Sequence, residues 1–282
     1  MDDLMEGTAL FRTDLEQGTP EWLAWRRQGV GASEVAVLLG LSDDSTPYKM
    51  WQDKLGLLKE PDRVNHGMLT GHEREAQVRA GLELELDGTF SAVLVEACPG
   101  SIFRVSLDGW DEAQGAGFEM KYVGKDYYEQ GGLPTEEHAI KAKHLAQMQY
   151  QMMVTRAPWW YYVKTIDGQN FKVQKVMADR QQQLLLRAAS ACFWPHVESK
   201  NPPPYCDLDW VPDERPELVA ALADVQLFGN LGGKEAKQKK EEARAKVFGL
   251  VKQARTVCGA ARISVLPTVK RIVFSEAADA QA

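Results

Sequence analysis

Residues 101–123 read SIFRVSLDGWDEAQGAGFEMKYV. Two runs rich in β-branched and aromatic residues flank a polar, glycine-containing stretch, the pattern of two strands folded onto each other by a turn. This pairing constrains much of what surrounds it, because a strand alternates its side chains between two faces. Glu119 and Lys121 share one face, while Phe118 and Met120 point the other way, toward a core. Asp108 lies near the end of the first strand and comes beside Glu119 once the turn closes. An ordinary hairpin needs none of these three charged groups.

Two adjacent carboxylates repel each other. A salt bridge on a solvated hairpin face is one resolution. A divalent cation is the other, and hard oxygen ligands favour Mg2+ or Mn2+. In the second case Lys121 sits where it can orient an attacking water and favour its deprotonation, an arrangement for hydrolysing a phosphodiester. On a helix predicted over 71–86, Glu75 begins a stripe continued by Val78, Leu82 and Leu86. A carboxylate at the end of an apolar stripe needs a partner, an arginine or a metal. A further helix, predicted from 136 to about 155, carries HLAQMQYQM. It puts His144, Gln147, Tyr150 and Gln151 on one side, either lining a cleft or forming a partly exposed face.

Thr19-Pro20-Glu21 and Thr46-Pro47 start helices. Between them, GVGASEVAVLLG reads as a loop, Ser33 as N-cap, and an apolar helix stopped at Gly40. Gly29 and Gly31 let the backbone pass close to a ligand, and a helix start beside Arg26 favours an anion. The plainer alternative is that Ser33 only caps its helix and Arg26 is a surface charge. Strands are predicted at 91–97, 101–110 and 117–123, a hairpin at 159–166 and 171–178, and a helix from Asp179 to about 198. This order predicts a mixed α/β core. Asn201-Pro-Pro-Pro then punctuates the chain. Beyond it, 213–228 and 234–255 read as helices, followed by a short strand pair. The expected division is a core over 1–205 and a helical-hairpin and short-strand appendage over 206–282.

Several function classes lose support. The four cysteines, Cys98, Cys192, Cys206 and Cys258, form no C-x-x-C pair, which argues against a zinc or iron–sulfur site. There is no G-x-G-x-x-G and no Walker loop. No apolar run approaches the ~18 residues of a membrane span, and MDDLMEG lacks the features of a signal peptide, so a cytosolic protein without membrane contact is expected. The net charge of −7 is unusual for a nucleic-acid protein. Lys234–Arg255, however, holds eight Lys/Arg against three Glu, a local balance of +5 against −12 for the rest. DNA binding therefore needs local basic patches.

WRRQGVGASEV, GHEREA, SLDGW, FEMK and AQMQYQMMVT, in that order between about Trp22 and Trp194, resemble the PD-(D/E)XK nucleases. More specifically they are similar to the lambda exonuclease, or YqaJ-type viral recombinase, family. Gln147-x-x-Tyr150 also resembles the Q-x-x-Y motif of RecB-type nucleases. The resemblance implies a restriction-endonuclease-like α/β core, a central mixed sheet flanked by helices. It implies Asp108, Glu119 and the backbone carbonyl of Met120 as metal ligands, Lys121 acting on the water, Glu75 as helical acidic partner, and Gln147 holding the lysine or the water. Arg26 and Ser33 match residues that hold a 5′-terminal phosphate, and His144 and Tyr150 are candidate DNA contacts. The implied activity is that of a Mg2+-dependent exonuclease, with Mn2+ as substitute. It would digest linear double-stranded DNA from 5′ to 3′ and leave 3′ single strands for a single-strand annealing protein in phage-type recombination. A homotrimeric ring is implied, encoded by a phage or prophage and acting in the bacterial cytoplasm. An endonuclease of restriction or junction-resolving type keeps the same fold and chemistry. Leu107 and Tyr122-Val123 depart from the proline and the Cys-Pro frequent in the family. The appendage has no counterpart in its short members.

Overall fold

In the computed structural model the described residues are 7–42, 44–58, 66–122, 140–165 and 167–274, with the backbone alone described for 66–74. The chain divides into two compact units, Met1–Pro203 and Pro204–Ala282.

The first unit contains helices α1 (Pro20–Arg27), α2 (Ala32–Leu38), α3 (Pro47–Lys54), α4 (His66–Leu86), α5 (Ala142–Thr155) and α6 (Arg180–Glu198). Its strands are β1 (Leu10–Arg12), β2 (Val30–Gly31), β3 (Ser91–Glu96), β4 (Phe103–Asp111), β5 (Ala116–Tyr122), β6 (Trp159–Thr165) and β7 (Phe171–Met177). They form one mixed sheet in the order β1-β3-β4-β5-β6-β7, with β2 added against β4. The β2–β4 and β5–β6 pairs are parallel and the others antiparallel. A parallel step requires a crossover, and α5 falls in the β5–β6 connection. The predicted start of that helix near 136 lies outside the described residues.

Local signals explain several helix starts. The Thr19 and Thr46 hydroxyls accept the Trp22 and Lys49 amides, with proline in each first turn. Asp179 caps α6 through the Gln181 and Gln182 amides. At α2 the expected cap is corrected. Gly31, not Ser33, is the N-cap, and the Glu34 carboxylate reaches back to the Gly31 N–H at 2.7 Å. A glutamate at the third helical position fixes the start by itself, which leaves Ser33 exposed inside the first turn. The reading of Gly29 is corrected too. A Cβ there would lie 2.4 Å from the Ile102 carbonyl oxygen, so its close approach is to the paired strand β4 rather than to a ligand.

Two cores sandwich the sheet. On one face Val95, Phe103, Val105 and Leu107 pack with Val35 of α2, Met148 and Met152 of α5, and Leu186 and Phe193 of α6. On the other, Val78 and Leu82 of α4 pack with Phe90, Phe118, Met120 and Val163. Strand β4 changes face part-way along. Leu107 pairs with Val93, but Trp110 pairs with Ser91, so Asp108 and Gly109 together oppose the single residue Ala92. This one-residue bulge reverses the alternation: Leu107 and Trp110, three apart, both pack in the first core. Gly109 is then turned against Phe118, where a Cβ would lie 2.0 Å from the ring.

The second unit has a core of its own. Helices α7 (Pro216–Gly229) and α8 (Lys234–Leu250) pack on a sheet of β8 (Val211–Pro212), β9 (Arg255–Cys258), β10 (Ala261–Leu266) and β11 (Val269–Phe274), in the order β11-β10-β9-β8. Leu218, Leu222, Val225, Val247, Cys258 and Ile263 fill the space between. The second helix ends at Leu250 rather than 255, because Thr256 and Cys258 alternate into the core as a strand. No described helix is long and apolar enough to cross a membrane.

Candidate active site

The partners of β4 leave a gap. Phe103 and Arg104 pair with β2, and Gly109 to Asp111 pair with β5. From Glu119 onward β5 has no ladder partner on its β4 side, while its other edge pairs with β6 from Gly117 to Tyr122. The sheet is thus forked at the bulge, and the fork opens on a cavity of about 310 Å3 whose lining includes Arg26, Ser33, Glu75, Asp108, Glu119, Met120, Lys121 and Gln147.

Each side chain in the fork is held. Asp108 Oδ2 accepts the Met120 N–H at 2.8 Å. Glu119 is 2% exposed; its Oε1 lies 2.6 Å from Lys121 Nζ, and its Oε2 accepts the Gln151 amide at 2.6 Å. Lys121 Nζ also donates to Gln147 Oε1 at 3.0 Å. Gln147 and Gln151 are one helical turn apart on α5, while Glu119 and Lys121 are one strand repeat apart on β5, so the two pairs meet as two rungs. Arg79, one turn after Glu75 on α4, donates through Nε and Nη2 to the Asp108 carbonyl at 3.2 and 2.9 Å.

Burial raises the Asp108 carboxyl well above its usual range, with Glu119 and Glu75 adding to the rise and Lys121 and the Met120 amide opposing it. Burial works against the Lys121 ammonium, but Glu119, Asp108 and Glu75 outweigh it and keep the lysine charged. The fork thus gathers more negative charge than one lysine offsets. Among the described residues no three histidine, cysteine or acidic groups converge as a metal site on their own. The donors available are the Asp108 and Glu119 carboxylates and the Met120 carbonyl. This hard-oxygen set fits a divalent cation, which these groups would hold.

A second cluster lies on the same cavity. Arg26 Nη2 donates to Ser33 Oγ at 3.2 Å and stands 3.4 Å from Glu34 Oε1, with its guanidinium over the Trp22 ring. The fully buried Lys54 ammonium donates to both Glu34 oxygens, at 2.9 and 2.7 Å. Desolvation lowers the lysine, while Glu34 is held below the usual carboxylate range by Lys54 and Arg26 against its own burial. Glu34 is therefore matched by Lys54, and Arg26 keeps a donor face toward the cavity.

Two expected residues are not in the cavity. Tyr150 is completely buried and its hydroxyl donates to the Val30 carbonyl at 2.9 Å. Its expectation as a DNA contact is corrected: it anchors β2 from within the core. His144 hydrogen-bonds Tyr162 through Nδ1 at 2.7 Å and does not line the cavity. Sequence reasoning passed over Arg79, Lys54 and the role of Gln151. For Gln151 the turn spacing from Gln147 was the available signal; for the other two there was none.

The central mixed sheet flanked by helices is similar to the fold of alkaline exonuclease structures. The alkaline exonuclease LHK-Exo from Laribacter hongkongensis superposes with a TM-score of 0.52 and 21% identity, covering 64% of this chain and 94% of that one. The same enzyme in complex with dAMP gives 0.51 and 22% over the same shares. Residues 21–158 match the family model of the YqaJ-like viral recombinase domain. The uncharacterized protein YqaJ of Bacillus subtilis (strain 168) is 31% identical over 72 residues, a stretch that spans only 23% of each chain.

Proposed function

We propose that the chain is a metal-dependent exonuclease that digests linear double-stranded DNA from the 5′ end and leaves 3′ single strands. The observation that carries this reading is that the Asp108–Glu119–Lys121 set and the Arg26–Ser33 pair open on one cavity. A terminal phosphate held at the second pair sets the neighbouring phosphodiester against the first, which is what removal of successive end nucleotides demands.

Asp108, Glu119 and the Met120 carbonyl would hold Mg2+, or Mn2+ in its place. When bound, such a cation polarises the phosphoryl oxygen and stabilises the developing charge. The chain's own groups do the rest. Gln147 fixes the Lys121 ammonium, and that charged donor orients the water toward phosphorus. Gln151 fixes Glu119, Arg79 fixes the backbone of Asp108, and Glu75 adds a carboxylate within reach of their field. Arg26 offers a two-pronged, charge-assisted contact to terminal phosphate oxygens, joined by the Ser33 hydroxyl. A deoxynucleoside monophosphate, the kind of ligand bound by the similar Laribacter enzyme, is the product this geometry would release.

A chain of net charge −7 grips DNA poorly as a monomer. A homotrimeric ring that turns its basic residues inward supplies grip and retention together. The single strands it leaves suit a single-strand annealing protein in phage-type recombination inside a bacterial cytoplasm. The test is digestion of end-labelled linear duplex with Mg2+, beside closed circular duplex. Release of labelled mononucleotide from the 5′ end, with circles intact, supports the reading. Cutting of closed circles shows an endonuclease instead. Light scattering at micromolar concentration that shows only monomer removes the ring.

A further inference from the structure

The sheet of the second unit has one face on its helices and one face away from its core. Thr256, Cys258, Ala261 and Ile263 are buried under α7 and α8. Alternation puts Arg255, Val257, Arg262, Ser264, Arg271 and Val273 on the opposite face. The register sets them side by side. Ser264 pairs with Arg255 on β9 and with Arg271 on β11, while Arg262 pairs with Val257 and Val273. Two arginines thus flank a serine in one row, and an arginine lies between two valines in the next. Strands are spaced about 4.8 Å apart, so Arg255 and Arg271 stand roughly 10 Å from each other.

Trp210, just before β8, joins this face. The Arg255 and Arg262 guanidiniums lie 5.9 and 5.6 Å from its ring centroid, so the ring steadies both cations. From Arg255 to Phe274 the chain contains three arginines, one lysine and no aspartate or glutamate. Among the described residues none of the three arginines forms an ion pair, and Arg262 and Arg271 are exposed. In a chain of net charge −7, a carboxylate-free strand group bearing three arginines is a local basic patch of the kind nucleic-acid binding requires.

We infer that this open sheet face, centred on Arg255, Arg262, Arg271 and Trp210, binds single-stranded nucleic acid. The arginines take phosphates. Their planar guanidiniums, with Val257, Val273 and the Trp210 edge, offer unstacked bases a flat apolar footing. A duplex keeps its base faces stacked inside and uses only the charges, so the apolar residues between the cations favour a single strand. All of these residues belong to the second unit, and the inference does not depend on the first unit being a nuclease.

The test is fluorescence anisotropy of the full-length chain with a fluorescein-labelled oligothymidine twenty nucleotides long, in EDTA so that no cleavage intrudes. The Arg262→Glu/Arg271→Glu double variant should bind about tenfold or more weakly. Lys234→Glu/Lys237→Glu on α8, with the same change of charge off this face, should move the affinity less than about twofold. Thermal melts check that both variants fold. Equal weakening by the two double variants would reduce the effect to net charge and overturn the site. So would unchanged binding in the first variant, equal affinity for hairpin duplex of the same length, or displacement of the oligonucleotide as readily by polyglutamate as by unlabelled strand.

Discussion

The Asp108 carboxylate accepts the Met120 N–H at 2.8 Å, just past the last β4–β5 ladder pair, Gly109 with Phe118. The side chain thus does the work of a ladder bond at the fork. One oxygen is committed to the backbone and the other is left for the cavity. An asparagine can keep the first role, because its carbonyl still accepts, but it brings no charge for the second. Asp108→Asn should therefore melt within a few degrees of the unaltered protein while its turnover on end-labelled duplex falls about a hundredfold or more. A loss of folding together with activity would assign the residue to architecture alone.

Gln151 is wholly buried, donates to Glu119 Oε2 at 2.6 Å, and leaves its own Oε1 without a partner among the described residues. Its donor orients Glu119 so that Oε1 faces the fork. Gln151→Met conserves length and removes the donor. The buried carboxylate then loses a hydrogen bond, for a net cost of about 1–2 kcal/mol by chemical denaturation. Turnover should fall about tenfold, and Mn2+ binding followed by electron paramagnetic resonance should weaken. Unchanged Mn2+ affinity would show that Glu119 needs no such support.

Arg26 faces the cavity because Lys54 already matches Glu34. If Arg26 and Ser33 hold the terminal phosphate, 5′-phosphorylated duplex should be degraded faster than 5′-hydroxyl duplex. Arg26→Ala should erase most of that preference. A charge-assisted hydrogen bond is worth roughly 1.5–3 kcal/mol, or about ten- to a hundredfold in rate. Equal rates on both ends with the unaltered protein would show that the loop does not read the phosphate.

Much of this arrangement was legible because it is local. Strand alternation put Glu119 and Lys121 on one face and Phe118 and Met120 on the other, and Thr19, Thr46 and Asp179 announced their helices. What was not legible depends on pairing between distant segments. The bulge at Asp108 and Gly109 exists only relative to β3, so nothing in SLDGW separates it from regular strand. Arg79 and Lys54 act through α4 against β4 and α3 against α2, and charged residues on helices most often face solvent. Ser33 was misplaced because Glu34, one residue later, sets the cap. Tyr150 was misplaced by helical angle. Three residues advance about 300°, so it stands about 60° from Gln147 on the side opposite Gln151, and that offset carries it into the core.

His144 gives the fold an acid sensitivity. Burial, and after it the positive charges of Lys121 and Lys143, lower its pKa from 6.5 to about 4. In the unfolded chain the imidazole takes a proton near pH 6.5, while in the folded chain it stays neutral until about pH 4. Between those values the unfolded state binds more protons, so stability falls as pH drops through that window and is fully present above it. Tyr162, at 2.7 Å from Nδ1, satisfies either neutral tautomer but does not neutralise the cation. His144→Gln keeps a hydrogen-bonding group and removes the titration. Melting temperatures measured from pH 7 to 4 should fall less steeply for this variant than for the unaltered protein, the difference growing below pH 6.5. Carboxylates titrating in the same window contribute equally to both proteins and cancel in the comparison. Parallel curves would show that the folded and unfolded chains protonate His144 alike.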